Sequence, residues 1–364
     1  MSVDAPLQRR LLVLNGGSAS FKWTLFGPGP DDVCSGSTDG VEEGLQQVLA
    51  QIPRPDAVGH RVVHGARRFT QAVRLDPRVR EDLESLVPLA PLHQPMALRG
   101  IDQVSATWPD VPQILCFDTA FHATLPEAAA RYALPREWVD RFGLRRFGAH
   151  GLSVEWSVRR VGECLGAMPH RLLVCHLGGG ASMTAVRDGL SIDTTMGFTP
   201  LEGPAMGTRC GSVDPGLLLY LLREGALGVS EVADGVQRRG GLFGLSGLSA
   251  DLRTVRTAAL GGHAAATAAI DHLLWTYRRA AGAMVGVLGG LDAVVFTGGI
   301  GEHHGFVRSA ISAALPECVL DEDLNELQEG DRQISAIGSR IRAFVIPARE
   351  DRVIRDHMIR VLGR

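Results

Sequence analysis

Arg171-Leu-Leu-Val-Cys-His-Leu-Gly-Gly-Gly-Ala-Ser182 is the stretch that decides the fold of this chain. Its first five residues form a short apolar run of mostly branched side chains, which predicts a buried strand. The three glycines lack Cβ atoms, so the turn can direct successive main-chain N–H groups at an anion. A second strand is predicted over residues 183–186, and the pair Asp188-Gly189 closes it as a hairpin turn. On its own, a glycine-rich hairpin is most often only a tight turn.

The chain contains a second copy of this pattern near its N-terminus. There, Arg10-Leu-Leu-Val-Leu14 leads into Asn15-Gly-Gly-Ser-Ala-Ser20, and a strand is predicted over residues 21–26. Two copies of strand, glycine turn and strand indicate one supersecondary unit used in each half of the protein. They predict an α/β protein of two related domains with a cleft between the domains, the layout of the actin and sugar-kinase superfamily (a duplicated ribonuclease H-like fold). The chain has no Walker-type loop.

Composition excludes several classes of protein. The 364 residues suffice for two domains, and a net charge of −3 gives no basic surface for nucleic acid or an anionic membrane. Residues 1–7 are polar, so no signal peptide is predicted. The most apolar region, residues 264–288, carries charged side chains and is predicted to be a buried or amphipathic helix. Six cysteines without a C-x-x-C pair are typical of reduced thiols and predict a cytoplasmic protein.

The chain has a single lysine, Lys22, against 36 arginines. It follows the first glycine turn, where a compact charge on a flexible stem suits phosphate oxygens. Chance survival of one lysine is the alternative. We interpret Lys22 as part of a phosphate or metal site.

Three further residues have two readings each. Arg61 interrupts the apolar strand predicted over residues 57–65 and needs an anionic partner, either a ligand or an internal Asp or Glu. Asp118 follows the strand predicted over residues 113–117, where open α/β sheets place ligands, although such residues also cap helices. His150 lies between small residues, which leaves its ring accessible unless it is a core histidine.

The remaining elements complete the domain prediction. Helices are predicted over residues 41–52, 80–87, 215–224, 306–314 and 351–361, and further strands over residues 293–296 and 344–346. Residues 240–247 are predicted to be a glycine-rich loop, and Gly298-Gly299 a turn that suits an adenine or ribose site. We expect residues 1–119 and a returning helix at 352–364 to form one domain, and residues 120–351 to form the nucleotide-binding domain.

An ordered series of short motifs runs from Leu12 to Asp356: Asn15-Gly-Gly-Ser18-Ala-Ser20-Phe-Lys22, His60-Arg61-Val-Val63-His64-Gly65, Pro91-Leu92-His93, Phe117-Asp118-Thr-Ala-Phe-His122, Gly148-Ala-His150-Gly151, Met196-Gly-Phe-Thr-Pro200-Leu-Glu-Gly203, Met206-Gly-Thr-Arg209, Ser246-Gly-Leu-Ser-Ala-Asp251-Leu-Arg253, Thr297-Gly-Gly299-Ile-Gly301-Glu302 and the turn at Glu350. The series resembles the acetate kinase (acetokinase) family, which includes propionate and butyrate kinases.

The resemblance implies reversible, Mg²⁺-dependent phosphoryl transfer from ATP to a short-chain carboxylate, giving an acyl phosphate and ADP. A carboxylate is already ionised at neutral pH, so this nucleophile needs no general base. The enzyme instead has to hold two anions in line and neutralise charge as the phosphoryl group moves. A homodimer is expected from the family alone.

The resemblance also assigns residues to roles. Arg61 and Arg209 grip carboxylate and phosphoryl oxygens through paired hydrogen bonds. His150 donates a hydrogen bond to the equatorial oxygens, and Asp118 orients an arginine or a metal-bound water. Asn15 and Glu350 are assigned to Mg²⁺, and the apolar acyl pocket to Val63, Leu92 and Pro200. The nucleotide and its phosphates are assigned to Ser18, Ser20, Lys22, His176, Gly178, Gly179, Gly180, Asp251, Leu252, Arg253, Gly299, Ile300, Gly301 and His303.

The chain departs from the family pattern at several positions. Ala149 replaces a phenylalanine of the acyl pocket, which opens room for methylene groups worth about 0.8 kcal/mol each when buried. We therefore expect propionate or butyrate to serve at least as well as acetate. Gly179, His303, Ala97 and Arg349 stand where the family prefers asparagine, so the phosphoryl donor is not restricted to ATP by sequence alone. The segment between Lys22 and His60 is also shorter than usual.

Two alternatives to a short-chain carboxylate kinase stay open. One is the same fold acting on a longer acid or another acceptor, such as a sugar. The other is a nucleotide-dependent switch protein that transfers no phosphoryl group. The retained Arg61, Arg209 and His150 favour transfer to a carboxylate.

Overall fold

The computed structural model describes residues 9–16, 20–29, 33–39, 42–91, 93–327 and 330–363. Its strands are β1 (Leu11–Gly16), β2 (Ser20–Phe26), β3 (Val33–Asp39), β4 (Ala57–Val62), β5 (Val73–Arg74), β6 (Gln113–Phe117), β7 (Arg171–Leu177), β8 (Ala181–Arg187), β9 (Leu190–Thr194), β10 (Ala293–Thr297), β11 (Arg332–Gln333) and β12 (Arg342–Val345). Its helices are α1 (Glu42–Gln51), α2 (Pro77–Ser85), α3 (Gln94–Thr107), α4 (Glu127–Ala130), α5 (Arg136–Phe142), α6 (Gly151–Leu165), α7 (Pro215–Arg223), α8 (Val229–Gln237), α9 (Gly241–Ser246), α10 (Leu252–Leu260), α11 (Ala264–Leu288), α12 (Gly298–His303), α13 (Gly305–Ser312), α14 (Glu322–Glu326) and α15 (Glu350–Leu362).

These residues form two compact units. The first unit contains the described residues up to Ala123, the segment Ala149–Trp156 and the segment from Arg349 onward. The second unit contains Thr124–Gly148 and Ser157–Ala348. The first unit therefore includes Ala149 and His150, although these two residues lie far along the chain from the strands of that unit.

The first unit is built on a mixed sheet with the strand order β3-β2-β1-β4-β6-β5. Strands β1, β2 and β3 form an antiparallel meander, and β1, β4 and β6 are parallel neighbours. The short edge strand β5 pairs antiparallel with β6. On β1, Leu12 and Leu14 are fully buried, and they form one core cluster with Phe21 of β2 and Leu45 of α1. The apolar spacing of α1 is thus explained by the sheet that it covers.

The second unit repeats this arrangement strand for strand. Its sheet has the order β9-β8-β7-β10-β12-β11, with an antiparallel meander of β7, β8 and β9 and a parallel set of β7, β10 and β12. The edge strand β11 again pairs antiparallel with its neighbour β12. The duplication predicted from the two strand–glycine–strand copies is confirmed.

The closing helix α15 belongs to the first unit and packs on its sheet. A Cβ added to Gly59 on β4 would lie only 2.5 Å from the sulfur of Met358 and 2.6 Å from the side chain of Ile354. This glycine is required for the close approach of helix and strand, because any side chain would push α15 away from β4.

Two predicted loops are helices. Residues 240–247 contain α9, and Gly298 is the first residue of α12, so the late glycine pair opens a helix and does not form a separate turn. The N–H groups of Leu242 and Phe243 donate to the carbonyl oxygens of Met206 and Gly207. These tertiary hydrogen bonds at the start of α9 outweigh the low helix propensity of glycine, about 1 kcal/mol per residue.

The long alanine-rich helix α11 confirms the prediction for residues 264–288. Leu273, Tyr277 and Met284 are buried along one face, whereas Trp275 and Val287 are exposed. Among the residues that the structure describes, no helix combines the length and apolarity needed to cross a bilayer.

Candidate active site

Three polar residues meet at the carboxyl edge of the first sheet. Asn15 and Arg61 come directly after Leu14 of β1 and His60 of β4, which pair with each other. Asp118 comes directly after Phe117 of β6, which pairs with Val62, the last residue of β4. Parallel strands present their carboxyl ends at the same edge, which is where open α/β sheets bind ligands. Glu350, the first residue of α15, reaches the same edge.

These four side chains form one hydrogen-bonded set. The Arg61 Nε and Nη2 donate to Asp118 Oδ2 at 2.9 and 2.5 Å, and Arg61 Nη1 donates to Asn15 Oδ1 at 3.1 Å. Asn15 Nδ2 in turn donates to Glu350 Oε2 at 2.9 Å. The internal carboxylate partner that a strand arginine requires is therefore Asp118. Through it, the guanidinium plane of Arg61 is fixed.

Burial governs the electrostatics of this set. Complete burial raises the pKa of the Asp118 carboxyl, and the guanidinium of Arg61 opposes that rise. Burial would lower the pKa of Arg61, but the nearby carboxylates of Asp118 and Glu350 more than reverse this and raise it above its ordinary value. Arg61 is consequently a permanent cation, held beside two carboxylates in a site largely shielded from water.

His150 is held in an unusual backbone conformation. Its φ is +58°, in the left-handed region that side chains other than glycine rarely adopt. The next residue, Gly151, donates its N–H to the Asp118 carbonyl at 2.8 Å, and a Cβ there would collide with that oxygen. The turn that carries the histidine is thus docked on the residue that holds Arg61.

His122 supports the same turn, and sequence reasoning did not assign it a role. Its Nε2–H donates to the carbonyl oxygen of Ala149 at 2.9 Å, and its ring is buried. Burial lowers the pKa of His122 to about 4, so the ring is neutral near pH 7. The available signal was its place in the motif Phe117-Asp118-Thr-Ala-Phe-His122, four residues after Asp118.

The oxygen donors of the first unit suit Mg²⁺. Asp118 Oδ1 is buried and has no hydrogen-bond partner among the described residues, although Oδ2 receives two bonds from Arg61. A buried, unpaired carboxylate oxygen is a natural ligand for a hard cation or its bound water. The described part of the chain contains no group of three His, Cys, Asp or Glu side chains that could hold a metal. A Mg²⁺ site usually takes one or two carboxylates from the protein and completes its shell with phosphates and water.

In the second unit, several glycine-bearing segments converge. Gly178 donates its N–H to the Gly180 carbonyl at 2.8 Å, which closes the turn between β7 and β8. A Cβ on Gly178 would lie 3.8 Å from the main-chain nitrogen of Gly299, and a Cβ on Gly207 would lie 3.8 Å from the Gly179 carbonyl. A Cβ on Gly179 or Gly299 would meet nothing within 4 Å. These two glycines leave open space beside main-chain N–H groups, as a phosphate or nucleoside site needs.

The loop that carries Arg209 lies in the same unit. Arg209 Nη1 donates to the Pro200 carbonyl at 2.6 Å, and its own carbonyl accepts from Met206 N–H at 3.0 Å. The N–H of Cys210 donates to the carbonyl of Val236 at the end of α8. The loop that carries Arg209 is therefore held by main-chain hydrogen bonds, and the arginine contacts Pro200, a residue assigned to the acyl pocket.

Asp251 and Arg253 have a structural role that accounts for part of their motif. Asp251 is the N-cap of α10 and accepts the Arg253 N–H at 2.8 Å, while its other oxygen pairs with the Arg253 guanidinium at 2.7 Å. These bonds lower the pKa of Asp251 to about 2. Burial lowers the pKa of His304, and the nearby charges of Arg256, His303 and Arg253 lower it further. Arg253 and His303, two of the residues assigned to the nucleotide, therefore lie near the same histidine.

The structure places the remaining predicted residues as follows. Lys22 is exposed on β2 and faces Asn15 across the antiparallel pair, whereas Val63 is buried just after β4. His176 and Leu252 are mostly buried, and in α12 Gly301 is buried and Ile300 half-buried. Ser20 begins β2. Ser18, Leu92 and the side chain of Ser20 lie outside the described residues.

Comparisons of the sequence and of the structure with known proteins all indicate the same family. A family model described as the acetokinase family matches residues 38–356. The acetate kinase of Dictyoglomus turgidum is 42% identical over 320 residues, which cover 87% of this chain and 79% of that protein. The acetate kinase structure from Porphyromonas gingivalis has a TM-score of 0.87 at 32% identity and covers 97% of this chain and 99% of that one. A propionate kinase from Francisella tularensis subsp. tularensis has a TM-score of 0.86 at 31% identity, with 96% and 98% covered.

Proposed function

The chain belongs to the acetokinase family and is a carboxylate kinase with ATP as phosphoryl donor, and we propose that it forms acyl phosphates by Mg²⁺-dependent in-line transfer. The observation that carries this proposal is the fixed guanidinium of Arg61. It sits at a sheet edge, braced by the buried Asp118 and by Asn15. A guanidinium held in this way offers a preorganised cation to an anionic acid and to the charge that develops on the moving phosphoryl group.

We assign the other roles by chemistry and family likeness. Arg209 is the second guanidinium, and His150 donates a hydrogen bond to the equatorial phosphoryl oxygens. Asn15, Glu350 and the unpaired oxygen of Asp118 hold Mg²⁺ or its waters. When bound, Mg²⁺ supplies charge neutralisation on the phosphate oxygens. The acid is already ionised near pH 7, so none of these residues has to act as a general base.

An acyl-hydroxamate assay with ATP and a series of acids tests the proposal. Acetate, propionate and butyrate should each give hydroxamate. A sugar should not stimulate ADP formation, which is measured separately because a sugar phosphate forms no hydroxamate. Arg209→Ala should lower kcat by roughly 10²–10³-fold, as loss of one transition-state donor does elsewhere. The matched control is Arg238→Ala, an exposed arginine of the same unit that pairs only loosely with Asp234. ATP hydrolysis without hydroxamate from any acid would support the nucleotide-switch alternative.

We further propose that the enzyme accepts acids longer than acetate. Ala149 is only 2% exposed, so its side chain faces protein or substrate and not bulk water. A methyl group at a position where the family has an aromatic ring leaves space for one or two methylenes, at about 0.8 kcal/mol each. The ratio of kcat/KM for propionate to that for acetate should fall several-fold in Ala149→Phe. A preference for acetate in the unaltered enzyme would contradict this proposal.

A homodimer is the oligomeric state we propose, and the helix α7 supports it. None of its residues is buried, and Leu217, Leu219 and Tyr220 are 49%, 50% and 62% exposed. An apolar helix of this kind is typical of a face covered by a second copy. Light scattering should give a dimer mass for the unaltered chain and a monomer mass for Leu219→Glu. We also propose a cytoplasmic location, because all six cysteines are free.

A further inference from the structure

One arginine, Arg146, forms hydrogen bonds with both ends of the segment Thr194–Glu202 in the second unit. Arg146 Nη1 donates to the carbonyl oxygens of Thr194, Thr195 and Met196 at 3.0, 3.2 and 3.2 Å. Its Nη2 donates to Glu202 Oε1 at 2.9 Å, at the other end of the segment. A single guanidinium therefore fixes the separation of the two ends, and its side chain is only 17% exposed.

Tyr132 completes this arrangement from the same side. Its hydroxyl donates to Glu202 Oε2 at 2.6 Å and accepts the main-chain N–H of Phe198 at 2.8 Å. Burial, together with the adjacent Glu202, raises the pKa of Tyr132, so its hydroxyl remains a donor at any pH near neutrality. The guanidinium of Arg146 lies 5.6 Å from the centre of the tyrosine ring, within range of a cation–π interaction.

Close packing and main-chain hydrogen bonds also hold the middle of the segment. A Cβ added to Gly197 would collide with both the Glu202 carboxylate and the Tyr132 hydroxyl. The Gly197 carbonyl accepts the N–H groups of Phe147 and Gly148 at 3.0 and 3.3 Å. The chain is thus tied down by main-chain and side-chain bonds at every second or third residue.

This matters for Arg209 because of where Pro200 lies. Pro200 is placed between Phe198, held by Tyr132, and Glu202, held by Arg146 and Tyr132. Its carbonyl accepts the short 2.6 Å hydrogen bond from Arg209 Nη1. A carbonyl fixed on both sides can fix the arginine that donates to it.

We propose that Tyr132, Arg146 and Glu202, here called the polar clamp, are positioning residues that set the orientation of the Arg209 guanidinium for phosphoryl transfer. The inference rests on the proposed role of Arg209. None of the three needs to touch substrate. Each acts through the Thr194–Glu202 segment and the Pro200 carbonyl.

Tyr132→Phe is the sharpest test, because it removes one oxygen and leaves the ring in place. It should lower kcat about tenfold, as a displaced guanidinium weakens transition-state contacts, while the KM for ATP stays within about twofold of the unaltered value. In an Arg209→Ala background the same change should lower kcat no further, because the group it positions is absent. Equal losses of kcat in both backgrounds would show that Tyr132 acts on the fold alone and would overturn the inference.

Two comparisons separate positioning from general destabilisation. Tyr277→Phe is the matched control. The Tyr277 hydroxyl is buried without a hydrogen-bond partner among the described residues, so its removal should leave kcat unchanged. Glu202→Gln keeps an oxygen for Arg146 and a polar group facing Tyr132, so it should retain kcat within about threefold, whereas Glu202→Ala should lose about tenfold. If Arg209→Ala itself keeps full activity, the proposed role of Arg209 fails. If Arg209→Ala is impaired but Tyr132→Phe and Glu202→Ala are not, only the clamp inference fails.

Discussion

Asp118→Asn replaces a buried carboxylate by a neutral amide of nearly the same shape. In the structure, Asp118 Oδ2 receives both Nε and Nη2 of Arg61, and the Asp118 side chain is 1% exposed against 15% for Arg61. The substitution leaves an oxygen able to accept these two bonds but removes the charge. It therefore changes the charge of the pair while keeping an acceptor for Arg61, and it also replaces the second oxygen, which we assign to Mg²⁺ or its waters.

The size of the effect follows from these contacts. A hydrogen bond to a charged group contributes about 1.5–3 kcal/mol, and a neutral one about 1 kcal/mol. Two weakened bonds therefore lose roughly 2 kcal/mol in total. The guanidinium also loses its buried charged partner, which adds to this loss. Breaking a buried ion pair costs about 3–5 kcal/mol in all. We expect the free energy of unfolding to fall by about 3 kcal/mol and kcat to fall about 100-fold, because Arg61 loses its fixed orientation.

A surface pair in the same unit supplies the control. Arg80 donates through Nε and Nη2 to the two carboxylate oxygens of Asp102, both at 2.9 Å, in an exposed position. Asp102→Asn should cost under about 1 kcal/mol and leave kcat unchanged. Urea unfolding and the hydroxamate assay measure both quantities in both variants. Equal stability losses in the two variants, or an Asp118→Asn enzyme with full kcat, would refute the reasoning.

Three further predictions concern single positions. Tyr277→Phe should raise the free energy of unfolding in urea by about 1 kcal/mol, because it removes a buried hydroxyl that has no partner among the described residues; a loss of stability would contradict this. Burial lowers the pKa of His60 from 6.5 to about 4, so the unfolded chain binds a proton at a higher pH than the folded chain does. Its contribution to stability, about 3 kcal/mol, should be lost as the pH falls from 6.5 towards 4. His60→Gln should remove this share of the pH dependence of the urea midpoint and leave the share of His122, whose pKa is also lowered to about 4; an unchanged pH dependence would count against it. Gly179→Ala should fold normally, because a Cβ there meets nothing within 4 Å, and it should raise only the KM for ATP. Gly298→Ala should lower the Tm, because Gly298 has a φ of +75° and a Cβ there would lie 2.7 Å from the Leu177 carbonyl oxygen. Similar Tm values for the two variants would contradict this assignment.

The sheets could be predicted because their signals are local. Each copy of strand, glycine turn and strand is contiguous in sequence, and the alternation of apolar runs and glycines is sufficient to place β1, β2, β7 and β8. The parallel strands β4, β6 and β10 are apolar runs of the same kind. Neither the strand order nor the edge strands β3, β5, β9 and β11 were predicted, because they depend on pairing between distant segments.

The helix α9 could not be predicted, because its cause is not local. Gly241 has a φ of +58°, and a Cβ there would collide with the Met206 carbonyl, so the glycine serves close packing against the Arg209 loop. A sequence reading counts the same residue as a helix breaker. The propensity and the tertiary contact point in opposite directions, and the tertiary contact prevails.

Two residues of the candidate site stand out in the sequence, but their geometry does not. Arg61 and Asp118 could be singled out separately, by an arginine in an apolar strand and a carboxylate after one. The two readings left open for Arg61, an internal partner or an anionic ligand, are compatible in the structure, because Asp118 takes one edge of the guanidinium. The left-handed backbone of His150 depends on the docking of Gly151 onto Asp118 and on His122, both distant in sequence. No local pattern specifies it.

The charge within the Arg61 set yields a last prediction. One guanidinium faces two carboxylates, Asp118 and Glu350, so the set is negative before an anionic acid and a polyphosphate arrive. Like charges repel strongly in a shielded site, so productive binding requires a divalent cation that the carboxylates help to hold. Glu350→Gln removes one of these charges and should raise the Mg²⁺ concentration for half-maximal rate about tenfold, with kcat largely retained at saturating Mg²⁺. Asp351→Asn is the control, because its carboxylate pairs with Arg349 through two 2.9 Å hydrogen bonds and should leave the Mg²⁺ requirement unchanged. A Glu350→Gln enzyme with the same Mg²⁺ titration as Asp351→Asn would show that this carboxylate serves only to brace Asn15.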